Sequence, residues 1–205
     1  MVKKTLLLVG RTGSGKSTLA NILINKEEKF EEGRYSVSKT KTIQIEEFEL
    51  EGKEYQIIDT VGFGDMKMEP SKVLSVIVRG CRAAKKGISQ VLFVVHEKFT
   101  QEEIDSYNIL IELFDKEIAN YTTIVRTKFS NFENEEECKK DVELLIDEDN
   151  ETITKMIDLC KRRIIYVDNP PISIAGNGKR IERQISLNKE VRGESRKILL
   201  KYLES

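Results

Sequence analysis

Nine consecutive residues, Gly10-Arg11-Thr12-Gly13-Ser14-Gly15-Lys16-Ser17-Thr18, spell G-x-x-x-x-G-K-S. Each part of that spacing has a use when the ligand is a chain of phosphates. Glycines let successive backbone N–H groups turn toward phosphate oxygens, the Lys16 ammonium places a point charge on the outer phosphates, and the Ser17 hydroxyl offers a ligand to Mg2+. The run lies between an apolar stretch, Thr5–Val9, and a helix-like pattern, Leu19–Ile24, whose positive N-terminal end points at the same phosphates. All nine residues are candidate binders of a nucleoside triphosphate, and Lys16 is also a candidate catalytic cation.

Three further strand ends carry chemistry. Tyr55-Gln56-Ile57-Ile58 runs into Asp59-Thr60-Val61-Gly62, a D-x-x-G that resembles the second phosphate-sensing element of GTPases. There Asp59 is expected to hold Mg2+ through water, and the Gly62 N–H to bond the γ-phosphate. Thr122–Val125 ends in Arg126-Thr127-Lys128-Phe129, and Ile164–Val167 ends in Asp168-Asn169-Pro170-Pro171. His96, the single histidine, closes the apolar run Gln90–Val95 and reads as a structural or surface residue rather than as a general base.

The elements that must position these residues alternate between periods of two and 3.6. Lys26 to Lys39 is polar and predicts an exposed loop able to act as a switch. Ile43, Ile45, Phe48 and Leu50 alternate with a phase slip at Glu46-Glu47, which predicts a strand with a bulge or kink, followed by a turn at Glu51-Gly52-Lys53. Ser71 is a candidate N-cap for a helix through Cys81, and Thr100-Gln101-Glu102-Glu103 is a capping box opening another. The acidic run from Glu133 to Glu137 starts a helical region through Leu144, Leu145, Ile153 and Cys160, and a last helix over Ile181–Leu203 sets Ile185, Ile198, Leu199 and Leu203 against a sheet. Alternation of strand and helix predicts an α/β fold of three layers, its central sheet mostly parallel with one antiparallel hairpin strand. Ligands of such sheets bind beyond the carboxyl ends of the strands, where the candidates all fall.

Composition bounds the rest. A chain of 205 residues suits one domain, 39% hydrophobic and 34% charged. A net charge of −1 gives no general field for nucleic acid or anionic lipid. Three scattered cysteines, Cys81, Cys138 and Cys160, predict reduced thiols and a cytoplasmic setting rather than zinc or disulfides. No membrane span, signal segment or lipidation box is read, so no intrinsic membrane anchor is expected in this chain.

On these residues the chain resembles the septin-like GTPases of the avirulence-induced, or immunity-associated (GIMAP-like), group. Lys98-Phe99-Thr100-Gln101-Glu102-Glu103 is similar to the box that sets this group apart, and Ser38-Lys39-Thr40-Lys41-Thr42 resembles its first switch. The resemblance implies the phosphate-loop GTPase fold as a single AIG-type G domain over residues 1–205, with GTP/GDP and Mg2+ as cofactors. It also implies that Thr40, with Thr42 the alternative, contacts Mg2+ and the γ-phosphate, so that Ser17, Thr40 and Asp59 form the metal set and Lys16, Thr40 and Gly62 the catalytic set. Thr127 and Lys128 are implied to pack on the base and Asn169 to lie beside it. Its members dimerise across the nucleotide face, which implies a homodimer or a related G-domain partner, with Lys98, Arg34 and Arg11 as candidate donors in trans.

Two positions depart from the pattern. The usual N-K-x-D or T-K-x-D aspartate, which accepts hydrogen bonds from guanine, has no counterpart in Arg126-Thr127-Lys128-Phe129-Ser130-Asn131, so these residues leave guanine against adenine open. Phe63 stands where a Ras-like enzyme has its water-orienting glutamine. The expectation is a Mg2+-dependent guanine-nucleotide switch with slow hydrolysis, stimulated by a dimer or partner, or else a nucleotide-loaded scaffold without turnover. A small-molecule kinase fits the D-T-V-G element and the family box least well.

Overall fold

The structure, a computed structural model, describes residues 3–27, 29–30, 43–60, 62, 75, 78–82, 84, 87–147 and 151–204. Thr40, Thr42, Arg34, Phe63 and Ser71 lie outside the described residues. In chain order the elements are β1 (Lys4–Val9), α1 (Lys16–Ile24), β2 (Gln44–Leu50), β3 (Lys53–Asp59), β4 (Gln90–His96), α2 (Gln101–Phe114), a 3-10 turn (Lys116–Tyr121), β5 (Thr122–Thr127), α3 (Glu135–Asp147), α4 (Glu151–Leu159), β6 (Ile164–Tyr166) and α5 (Lys179–Glu204). Residues 78–82 are helical as well.

Among the described residues the strands form one six-stranded sheet in the order β2-β3-β1-β4-β5-β6. Within it the β2–β3 pair is antiparallel; β1 pairs in parallel with β3 and β4, β4 with β5, and β5 with β6. Successive side chains of a strand point to opposite faces. Leu7 and Val9 of β1, Phe93 and Val95 of β4 and Ile124 of β5 therefore share a core with Ile104, Tyr107 and Leu110 of α2 and Ile153, Met156 and Ile157 of α4. Their neighbours Leu6, Leu8, Leu92, Val94 and Val125 meet Leu19 and Leu23 of α1 and Leu199 and Leu203 of α5 on the other face. Strands so enclosed read as near-continuous apolar runs, which is why β1 and β4 are legible in the sequence.

Three sequence expectations change. β2 contains no bulge: its register with β3 is unbroken from Gln44↔Asp59 to Leu50↔Lys53. The phase slip is absorbed by turning Ile45 to solvent and Glu46 half inward, where Lys29 pairs with it at 3.0 Å. An edge strand tolerates that exchange because one of its faces is not fully covered. Ile185 is half-buried and belongs to neither core cluster; α5 engages the body from Asn188 onward.

The third change concerns the loop after α1. Phe30 is fully buried among the α1 and α5 side chains, not exposed. Its backbone is held by one side chain: Asn21 Nδ2 donates to Phe30 O at 2.9 Å, and the Phe30 N–H donates to Asn21 Oδ1 at 2.8 Å. Asn21→Ala would leave a buried donor and acceptor unpaired and is expected to cost about 2–3 kcal/mol in urea unfolding. Lys29→Ala, which removes an exposed ion pair, is expected to cost under about 1 kcal/mol in the same measurement.

Candidate functional site

The loop between β1 and α1 takes the shape that its glycines permit. Gly10, Gly13 and Gly15 have φ of 146°, 80° and 97°, values that residues with a β-carbon rarely adopt. At Gly10 a β-carbon would also run into the Val94 carbonyl oxygen. Lys16 opens α1 and returns over the loop, its Nζ donating to Gly10 O at 3.1 Å and Arg11 O at 2.9 Å. The side chain is enclosed, and burial lowers its pKa from 10.5 to about 8 against the opposing pull of Asp59.

Asp59 ends β3 beside the first turn of α1. The Ser17 hydroxyl donates to Asp59 Oδ2 at 2.7 Å, which brings two members of the expected metal set together. Asp59 is fully buried, and burial raises its pKa from 3.8 to about 6, opposed by Lys16 and the Ser17 hydrogen bond. Its second oxygen, Oδ1, is buried with no partner among the described residues. A hydroxyl and an unsatisfied carboxylate side by side are the hard oxygen donors that suit Mg2+. Gly62 lies against the Thr12 backbone so closely that a β-carbon would collide with it, so the D-x-x-G segment touches the phosphate loop directly.

The remaining candidates sit at the ends of β5 and β6. Thr127 is buried, and the single proton of its hydroxyl is shared between Ser14 O at 2.9 Å and Val95 O at 3.2 Å. It therefore fixes the phosphate loop to the sheet, a task the spacing alone does not reveal. Lys128 is exposed with φ of 57°. Asn169 follows β6, and both polar atoms of its carboxamide are buried without partners among the described residues. His96 is half-buried; burial, then Lys128 and Arg11, lower its pKa, which keeps it neutral at pH 7. Thr18 is half-buried in the first turn of α1, and Lys98 is exposed.

Two supporting networks were not read from the sequence. Arg11 pairs through Nε with Glu103 Oε1 and lies 3.5 Å from Glu102. Glu103 is itself 0% exposed and accepts the Thr100 N–H at 3.1 Å, so the capping box of α2 also grips the phosphate loop. Arg126 binds Asp141 of α3 and the Glu97 carbonyl while its guanidinium lies 5.7 Å from the ring centroids of Phe99, Phe129 and Tyr166. Asp141 in turn accepts the Tyr166 hydroxyl at 2.7 Å. A charged residue inside a strand pattern was the only available signal for this joint between β4, β5, β6 and α3.

Five of the seven buried side-chain polar atoms without a partner among the described residues belong to Thr12, Ser14, Asp59 and Asn169. Buried polar groups are nearly always satisfied, so such a concentration at one sheet edge marks a ligand site. The sheet order and the phosphate loop together define a phosphate-loop nucleotide-binding fold of the GTPase type. The chain belongs to the AIG1 family, whose sequence model matches residues 4–191. It is 28% identical over 191 residues to immune-associated nucleotide-binding protein 9 of Arabidopsis thaliana, covering 92% of this chain and 55% of that protein. It thus spans about half the length of the curated relatives it first matches. Among solved structures it is similar to Toc33 from Arabidopsis thaliana in complex with GDP and Mg2+, with a TM-score of 0.60, 20% identity, and coverage of 96% of this chain and 86% of that one. A second, with a TM-score of 0.63, 19% identity, and coverage of 94% and 84%, comes from work showing that dimerisation is important for the GTPase activity of the chloroplast translocon components atToc33 and psToc159. Among the described residues no helix is long and apolar enough to cross a membrane.

The Asp59 carboxyl is more easily protonated in the fold than in the unfolded chain, so it contributes stability below about pH 4 that is lost as the pH rises through about 6. In the ligand-free protein, the stability difference between Asp59→Asn and wild type should therefore grow in favour of the variant from pH 4 to pH 6 and level off above it. Urea midpoints measured across that range check this.

Proposed function

We propose that the chain is a Mg2+-dependent guanine-nucleotide switch with slow GTP hydrolysis, working as an AIG-type G domain over residues 1–205 and dimerising through its nucleotide face. The observation that carries the reading is the set of buried, unpartnered atoms on Thr12, Ser14, Asp59 and Asn169 around a phosphate loop. The bound nucleotide of the Toc33 structure and the dependence of GTPase activity on dimerisation in atToc33 and psToc159 support it by analogy of fold.

In this reading the backbone of Gly10 to Thr18 surrounds the phosphates, and Lys16 exchanges its two carbonyl partners for phosphate oxygens. Ser17, Asp59 and Thr40, with Thr42 the alternative, would hold Mg2+, which when bound neutralises charge on the phosphate oxygens. The Gly62 N–H bonds the outer phosphate; its contact with Thr12 keeps it at the loop. Thr127 steadies the loop from behind, Lys128 covers the base, and Asn169 reads its edge.

Slow turnover follows from Phe63, which has no group to orient water. Arg11 is occupied by Glu102 and Glu103, so it is a poor donor in trans, and Lys98 is the better described candidate for that part. Homodimers or pairs with a related G domain, without nucleic acid, and a cytoplasmic setting complete the proposal.

Binding of GDP, GTP, ADP and ATP with and without Mg2+ tests it. Guanine nucleotides should bind more tightly, triphosphates should depend on Mg2+, and Lys16→Ala should weaken GTP binding by about a hundredfold. Equal affinity for the two purines overturns the guanine assignment. Single-turnover hydrolysis should accelerate with protein concentration; a flat rate near zero favours a scaffold that carries nucleotide without turnover.

A further inference from the structure

Helix α5 carries one stripe along its inner face, Asn188, Arg192, Ser195, Leu199 and Leu203, spaced by three and four residues. Its second half is the apolar contact with the sheet. Its first half is polar yet just as enclosed: Asn188 and Arg192 are 7% exposed and Ser195 is 0%. Burying a guanidinium, an amide and a hydroxyl is costly unless they are paired.

Their partners are backbone atoms of one short loop. Ser195 Oγ donates to Asp168 O at 2.7 Å and accepts the Asp168 N–H at 3.1 Å. Arg192 Nε donates to Pro170 O at 2.7 Å, and Asn188 Nδ2 donates to Pro171 O at 2.6 Å. Prolines have no N–H, so at Pro170 and Pro171 the backbone can be held only through its carbonyls, and donors on a neighbouring helix are the means available. The chain is thus fixed on both sides of Asn169, while the Asn169 carboxamide itself stays buried and unpartnered among the described residues.

We infer that Asn188, Arg192 and Ser195 are positioning residues that hold the Asn169 carboxamide as the reader of the purine edge, so that base affinity is set from α5. The inference rests on the nucleotide-binding reading proposed above. It gives the missing aspartate a physical consequence. A carboxylate only accepts, and its two equivalent oxygens meet the guanine N–H groups whichever way the group is turned. A carboxamide presents one donor beside one acceptor, and each must meet its opposite at hydrogen-bond distance. Such a reader works only where its backbone cannot drift.

Affinities for Mg2+ complexes of GDP, ADP and inorganic tripolyphosphate, measured on the full chain by displacement of a fluorescent GDP analogue, separate the possibilities. Ser195→Ala and Arg192→Met should each weaken GDP about tenfold, the worth of one well-placed hydrogen bond, and leave tripolyphosphate unchanged within about twofold. Arg192→Lys, which keeps a donor for Pro170 O, should recover most of the loss. Asn169→Ala should weaken GDP by a similar factor, and Ser195→Ala on that background should add nothing, because the two act through one contact. Equal losses for GDP and tripolyphosphate, or additive losses in the double variant, overturn the inference by showing a merely structural role. Should Ser195→Ala fail to fold, Asn188→Ala gives the same comparison nearer the exposed end of the helix. Equal wild-type affinity for GDP and ADP would remove the guanine assignment alone, since the purine against tripolyphosphate contrast still tests the helix.

Discussion

Lys16 carries its ammonium to a place that water does not reach, 6% exposed, with two backbone carbonyls for company. A charge so placed is retained only if the surroundings repay its lost hydration. Asp59 faces the same difficulty from the other side, its carboxyl pushed up to about 6 while the lysine is pulled down to about 8. Each group holds its charge at some cost in the ligand-free fold. In the proposed complex, phosphate anions relieve the one and a divalent cation the other. Much of the architecture serves this pair: glycines that fold the loop round the lysine, β3 that delivers the carboxylate, and Thr127 and Arg11 that stop the loop from moving away.

How much of this was legible depended on whether the cause was local. The phosphate loop, the strand ends and the capping box are written in adjacent residues, because glycine conformations, apolar runs and helix caps are properties of neighbours. The sheet order and the burial of Phe30 were not, since Asn21 reaches nine positions along the chain to fix it and nothing local announces that. β2 was misread at Glu46-Glu47 because apolar phase was taken as decisive, whereas at an edge a glutamate with a lysine partner can take the half-covered side. Asn169 was found from its place after the last strand; the helical stripe that holds it was passed over because buried polar residues look like a solvated face until their partners are known.

Helix α5 has a second hold that gives that stripe wider meaning. Arg196, next to Ser195, donates from Nε to Ile22 O at 3.0 Å and from Nη2 to Leu23 O at 3.4 Å, at the carboxyl end of α1. A cation there adds a donor to carbonyls at the helix end, Ile22 O also accepting the Asn25 N–H, and suits its negative end. One helix thus grips both the far end of the element that begins at the phosphates and the loop that carries Asn169. Displacement of α5 would be felt at the two ends of a bound nucleotide together.

The sheet order has a consequence for association. A terminal strand offers unpaired backbone groups on which another sheet can grow. Among the described residues one boundary is β2, bearing Glu46, Glu47 and Glu49, and the other is β6, three residues long. Two copies brought edge to edge at β2 would have to accommodate the Lys29–Glu46 and Lys3–Glu47 ion pairs beside Glu49, and at β6 they would find a template of three residues. The described sheet boundaries thus offer a second copy a short template at one side and, at the other, a strand whose Glu46 and Glu47 carboxylates already carry their own cations.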